Sequence, residues 1–338
     1  MAPYGKAEEL FATEEPLSVL QSIADIHLFP LLVETALLAV FSVQTIYFVY
    51  HRCSRDDKAL QSGTTHAHHH YRGPHINVML CIHICIYIFA VAYWALDVAI
   101  LQQELLVFFP KLLSGPPNID AFQTLTNMLG VQWYAQAVLQ GFIWIASDGV
   151  ALWRAYAVHG RPRWLGIIIC LLALTELGVY TQYLVFYLHI LPSPPHSIAR
   201  EHETGDTVVA PYLAAASFTI AVQIFATSVI ACKAWMVWKS RKDLFNGPGR
   251  VFRTLALLIE SGVTYTLFWV WYILARNDSI VSWKMATWTE YYSIPLMAMY
   301  PTLVVMVVTM QNSALTADDN LPNTHPRPSS IMIDEKLD

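Results

Sequence analysis

Six carboxyl side chains, Glu34, Asp97, Asp148, Glu176, Glu260 and Glu290, fall inside long runs of apolar residues. An ionised carboxylate in such a run costs several kcal/mol if the run lies in a bilayer, so each must face a protein interior, water or a partner. One basic side chain, Lys233, shares these runs, so most of the acids must be protonated, hydrogen-bonded or waiting for a cationic ligand. Acids held this way suit general acid–base chemistry on an apolar substrate, proton-linked transport or the binding of a small molecule.

Spacing groups these residues. Tyr180, Tyr183 and Tyr187 follow Glu176 at four, seven and eleven, making one polar-aromatic helix face. Gln132, Gln136 and Gln140 recur every four residues, as do Thr219, Gln223 and Thr227. We expect these faces to line a polar cavity open to the outside, with Glu34, Asp97, Gln132, Gln136, Glu176, Tyr180, Tyr183, Gln223 and Glu290 as its ligand-binding residues. The structural alternative is that they join helices by hydrogen bonds. Asp148, Arg154 and Glu260 form a second group, in which a charge bridge from Arg154 to either acid would latch the third helix to the sixth.

The elements that must position these residues are membrane spans. The chain has 338 residues, 55% hydrophobic and only 13% charged, against roughly 25% charged in an average soluble domain. Seven stretches reach the roughly 20 apolar residues that a spanning helix requires: 28–50, 76–100, 128–152, 164–188, 211–238, 254–275 and 288–311. The fold expected is an all-α membrane protein, a seven-transmembrane helix bundle. Residues 1–27 form a short external segment and 312–338 a disordered cytoplasmic tail rich in Pro, Ser, Asn and Asp. Fourteen of the 20 Lys and Arg residues fall in the loops after spans one, three and five and in the tail, which places the N-terminus outside and the C-terminus in the cytoplasm. No cleaved signal peptide is expected ahead of the first span. The bilayer is the one certain partner on this reading, in a multi-pass protein of the plasma membrane or endoplasmic reticulum, and nucleic acid is not a partner.

The segments between spans add less. Four of the five cysteines lie within spans and Cys53 follows the first, so no disulfide ties an outer loop to the bundle. His66, His68, His69, His70 and His75 crowd one loop; imidazoles at that density can bind zinc, but a solvated loop explains them equally and no metal or cofactor is expected. Asn277-Asp278-Ser279 is a glycosylation acceptor in an external loop. Glu104 to Leu113 reads as an interfacial segment capping the outer mouth.

Three segments carry a resemblance. Asp148-Gly-Val-Ala-Leu-Trp-Arg154-Ala-Tyr156, Glu260-Ser261-Gly262-Val-Thr-Tyr265 and Tyr300-Pro301-Thr302-Leu303 resemble motifs of an uncharacterised family of seven-span, receptor-like proteins from mushroom-forming basidiomycete fungi. The resemblance covers helices 3 to 7. It implies the fold and a fungal origin, and no ligand.

Three functions fit the pattern. A receptor would sense a small molecule from outside and signal through short basic loops to a cytoplasmic protein; the Asp-Arg-Tyr and Asn-Pro-x-x-Tyr patterns of rhodopsin-like receptors are absent from the sequence. An enzyme of lipid or terpenoid metabolism would use Glu176, Asp148 and Glu260 as general acids or bases. A transporter would titrate the same acids, although no internal repeat is visible.

Overall fold

In a computed structural model of the chain the described residues are 20–21, 23–61, 75–110, 119–190, 197–241, 250–276 and 281–319. Among them seven long helices occur and no strand: α1 (Phe29–Gln61), α2 (His75–Gln103), α3 (Ile119–Val158), α4 (Arg163–Ile190), α5 (Ser197–Arg241), α6 (Arg250–Ala275) and α7 (Trp283–Asp319). A π-helical turn, Ala24–Leu28, leads into α1, and a second, Glu104–Phe108, extends α2. Residues 104–110 of the expected interfacial segment are thus helical, and 111–113 lie outside the described residues.

Six helices carry a run long and apolar enough to cross a membrane: Ala24–His51, Val78–Val107, Leu129–Val158, Arg163–Leu188, Ala210–Lys239 and Thr254–Ala275. The seventh expected stretch is helical but is not among these six; it carries Thr289, Glu290, Ser293, Pro295 and Pro301. The outside of the bundle is apolar. On α4, Ile167, Leu171 and Leu174 share one face and are 59–63% exposed, a surface that hydrocarbon solvates and water does not.

The most buried span is that of α3, which packs against α2, α4, α5 and α7. This explains how a helix interrupted by Gln136 and Gln140 remains stable, because both side chains are buried and turn toward neighbouring helices. The end of the bundle holding Asp25, Glu104 and Arg276 is called outer here, after the Lys and Arg asymmetry.

Pro301 shows how backbone groups are satisfied without water. Proline offers no N–H to the carbonyl four residues earlier, and that carbonyl, of Met297, accepts from Ser147 Oγ on α3 at 3.4 Å. Gln44 of α1 donates to Thr302 Oγ1 at 2.7 Å and to the Met299 carbonyl at 3.3 Å. The Tyr300-Pro301-Thr302 segment thus ties α7 to two helices. At the turn between α3 and α4, Gly160 takes φ 77° and Arg161 φ 61°, a left-handed pair that reverses the chain.

Close approach of α3 and α4 depends on Gly141. A Cβ there would lie 1.8 Å from Cε1 of Tyr180, whereas one at Gly149 on the same helix meets nothing within 4 Å. Gly141→Ala should cost roughly 1–3 kcal/mol through overpacking, and Gly149→Ala should be neutral or stabilising by up to about 1 kcal/mol. Thermal unfolding of the two variants in one detergent checks the pair.

Candidate functional site

The buried polar residues assemble into three sets. In the first, Glu34 of α1 lies beside Asp97 of α2, and Gln136 Nε2 of α3 donates to Asp97 Oδ1 at 2.7 Å. One oxygen of each acid, Glu34 Oε2 and Asp97 Oδ2, has no N–H or O–H donor from another residue. Two buried carboxyl groups side by side repel one another when both are ionised.

The second set repeats the pattern deeper in the bundle. Asp148 of α3 faces Glu176 of α4, and Gln223 Nε2 of α5 donates to Asp148 Oδ1. Thr219, also on α5, lies near Asp148. Asp148 Oδ2 and Glu176 Oε1 again have no hydrogen-bond partner. Glu176 is only 5% exposed and Asp148 fully buried, so both acid pairs sit where a lone carboxylate is least tolerable. Joining three helices each, they also satisfy the description of interhelical fasteners.

The third set lies at the outer end. Arg276, just past α6, forms an ion pair with Glu290 of α7, and its Nε donates to the Tyr212 hydroxyl at 3.2 Å. Its guanidinium lies 5.0 Å from the Tyr212 ring centroid and 5.9 Å from that of Tyr272. Burial alone would lower the Arg276 pKa, but Glu290 and the two tyrosines more than offset it and hold the group charged. Beside it, His27 Nδ1 meets the Tyr291 hydroxyl at 2.7 Å, with Nε2 3.6 Å from Glu104; Lys284 lies 3.7 Å from Asp25. The two π-helical turns supply His27 and Glu104, a placement that π-bulges often have at functional positions.

Between the outer set and the deeper acids the bundle is filled by aromatic rings. Trp144 contacts Tyr180, Tyr212, Trp269 and Tyr272 at centroid distances of 4.7–6.1 Å. Tyr180 donates to the Ala137 carbonyl at 2.6 Å, and Tyr183 packs on Tyr180, Tyr187 and Tyr212. Of the nine residues named as cavity lining, then, Glu34, Asp97 and Gln136 gather in one set, Glu176 and Gln223 in another, Glu290 pairs with Arg276, and Tyr180 and Tyr183 belong to the ring cluster. Gln132 is half-buried, with Oε1 lacking a partner.

Arg154 does not bridge to either acid named with it. Asp148 is taken by Glu176 and Gln223, and Glu260 is exposed on α6. The Arg154 guanidinium instead lies 5.9 Å from the centre of the Tyr300 ring, which stacks at 4.1 Å on Tyr265. No group of three or more His, Cys, Asp or Glu able to hold a metal occurs among the described residues. The histidines from His66 to His75, Asn277, Cys53, residues 1–19 and the tail from 320 have no described side chains.

Sequence reading missed Arg276, His27 and Glu104, because each sits at a span end where charged residues draw no attention. It also missed the burial of Trp144 and Trp269, which hydropathy counts treat as lipid-facing residues. His83 is a further buried polar group, with both ring nitrogens unpartnered. It lines a small apolar cavity with Phe48, Met79, Ile86, Val150 and Thr302.

No protein-family model, curated protein or solved structure matches the chain.

The contact of Asp148 with Glu176 makes a prediction. A glutamine amide fills the same space and can donate to Asp148, so Glu176→Gln should unfold within about 1 kcal/mol of the native protein. Glu176→Leu leaves Asp148 without that donor and should lose roughly 1–3 kcal/mol. Unfolding midpoints of the two variants against the native chain decide this.

Proposed function

We propose that the chain is a seven-helix, receptor-like membrane protein, with α7 as its seventh span, its N-terminus outside and its C-terminus in the cytoplasm. It senses a small molecule at the outer polar end and reports to a cytoplasmic protein through its basic inner loops. The resemblance of the three motifs to the fungal receptor-like family agrees with this reading.

One observation carries it: an unbroken file of side-chain contacts from one end of the bundle to the other. Arg276 lies 5.9 Å from the Tyr272 ring, Tyr272 contacts Trp269 at 5.7 Å, and Trp269 contacts Tyr265 at 6.3 Å. Tyr265 stacks on Tyr300 at 4.1 Å, and Arg154 covers Tyr300 at 5.9 Å. Tyr265, Trp269 and Tyr272 follow α6 at helical spacing, and the file then crosses to α7 and α3. A ligand that pulls Glu290 from Arg276 would release the first member of a packed series, and close-packed interiors pass such displacements on rather than absorbing them.

The test is exchange at the far end. The Gly160 and Arg161 amides donate to Ala157 and Tyr156 carbonyls just beyond Arg154. If the file couples the two ends, Arg276→Gln should speed hydrogen exchange at these amides about tenfold, a coupling of about 1.4 kcal/mol. Exchange changed only near residue 276 would sink the reading.

The Asp148–Glu176 pair favours a second reading, an enzyme of lipid or terpenoid metabolism in which the pair serves as acid and conjugate base. Small molecules from cells expressing native protein or Glu176→Gln at equal levels discriminate the two. A product made only by the native protein would establish the enzyme, and the receptor reading expects identical profiles.

A further inference from the structure

Arg154 is a buried cation with no acidic partner among the described residues. It is 7% exposed, its Nε and Nη1 find no acceptor, and the hydroxyls of Tyr265 and Tyr300 beside it are also buried outside hydrogen-bonding geometry. The nearest acids by sequence, Asp148 and Glu176, are engaged with each other and lie about 9 Å further along the bundle, six residues at 1.5 Å each. Glu260 is exposed on α6 and forms no ion pair with Arg154. An isolated buried guanidinium costs several kcal/mol, and the usual remedy, proton loss, is closed to arginine.

The surroundings are basic. Four residues, about 6 Å, separate Arg154 from the end of α3, a distance the arginine side chain can itself span. That end opens on exposed Arg161 and Arg163. α5 brings Lys233 close to the same end. Lys233 also acts on His159, whose pKa is lowered by burial and then by that charge.

We propose that Arg154, with the hydroxyls of Tyr265 and Tyr300, binds a phosphate-type oxyanion at the inner end of the bundle, either as free phosphate or as a phospholipid headgroup. A phosphate accepts several hydrogen bonds at once, and arginine matches it in charge and in planar donor geometry. The site closes the inner end of the contact file, yet it requires only the donors themselves and stands whether the protein signals or catalyses.

The test uses the full chain, purified in an uncharged detergent, with inorganic phosphate titrated against chloride at equal ionic strength. Phosphate in hundredfold excess over its Kd should raise Tm by about 5 °C. In parallel, nanodiscs of phosphatidylcholine alone are compared with nanodiscs containing a phosphatidylinositol phosphate. A rise in both arms identifies a site open to free phosphate, and a rise with the lipid alone identifies a headgroup site. Arg154→Gln should abolish the response while unfolding no lower than the native chain without anion. Where that variant does not fold, Tyr300→Phe, which removes one hydroxyl, should weaken phosphate or lipid affinity about tenfold. No rise in either arm, or a rise that survives both substitutions, overturns the proposal.

Discussion

Hydrocarbon offers no hydrogen bonds, and this constraint organises the described interior. Every polar group in a span must find its partner inside the protein or remain unsatisfied at a cost of several kcal/mol. The acids answer by gathering in pairs, and Gln136 and Gln223 donate to one acid of each pair from a third helix. The backbone answers in the same way where Pro301 leaves the Met297 carbonyl free and Ser147 takes it. Helices that would pass one another as smooth apolar rods are thereby fixed in register and rotation.

Two arginines mark the ends of this arrangement and are treated differently. Arg276 is surrounded by Glu290, Tyr212 and Tyr272, which hold its charge. Arg154 faces rings and hydroxyls and no acid among the described residues. Between them the packed rings of Tyr272, Trp269, Tyr265 and Tyr300 leave little room for independent movement.

Much of the fold was legible from hydropathy, because bilayer-crossing helices announce themselves by length: the expected stretches all fall within observed helices. The buried placement of Gln136, Gln140, Glu176, Tyr180 and Gln223 followed from helical spacing. What spacing does not encode is which faces meet. The sequence placed Glu176 with the tyrosines of its own helix; across helices it meets Asp148. It offered Arg154 two acids within reach, and the rotation of α6 turns Glu260 outward while bringing Tyr265 in. Gly141 stood beside Gln140 as one more small residue, and only the ring of Tyr180 gives it a role.

The central claim is that the two ends of the bundle are energetically coupled through the ring file, and a double-mutant cycle measures this most directly. Unfolding free energies of the native chain, Arg276→Gln, Arg154→Gln and the double variant would be compared under one condition. Distant independent sites add within about 0.3–0.5 kcal/mol. The account predicts an interaction energy above about 0.5 kcal/mol despite the absence of contact between the two arginines, and strict additivity would contradict it.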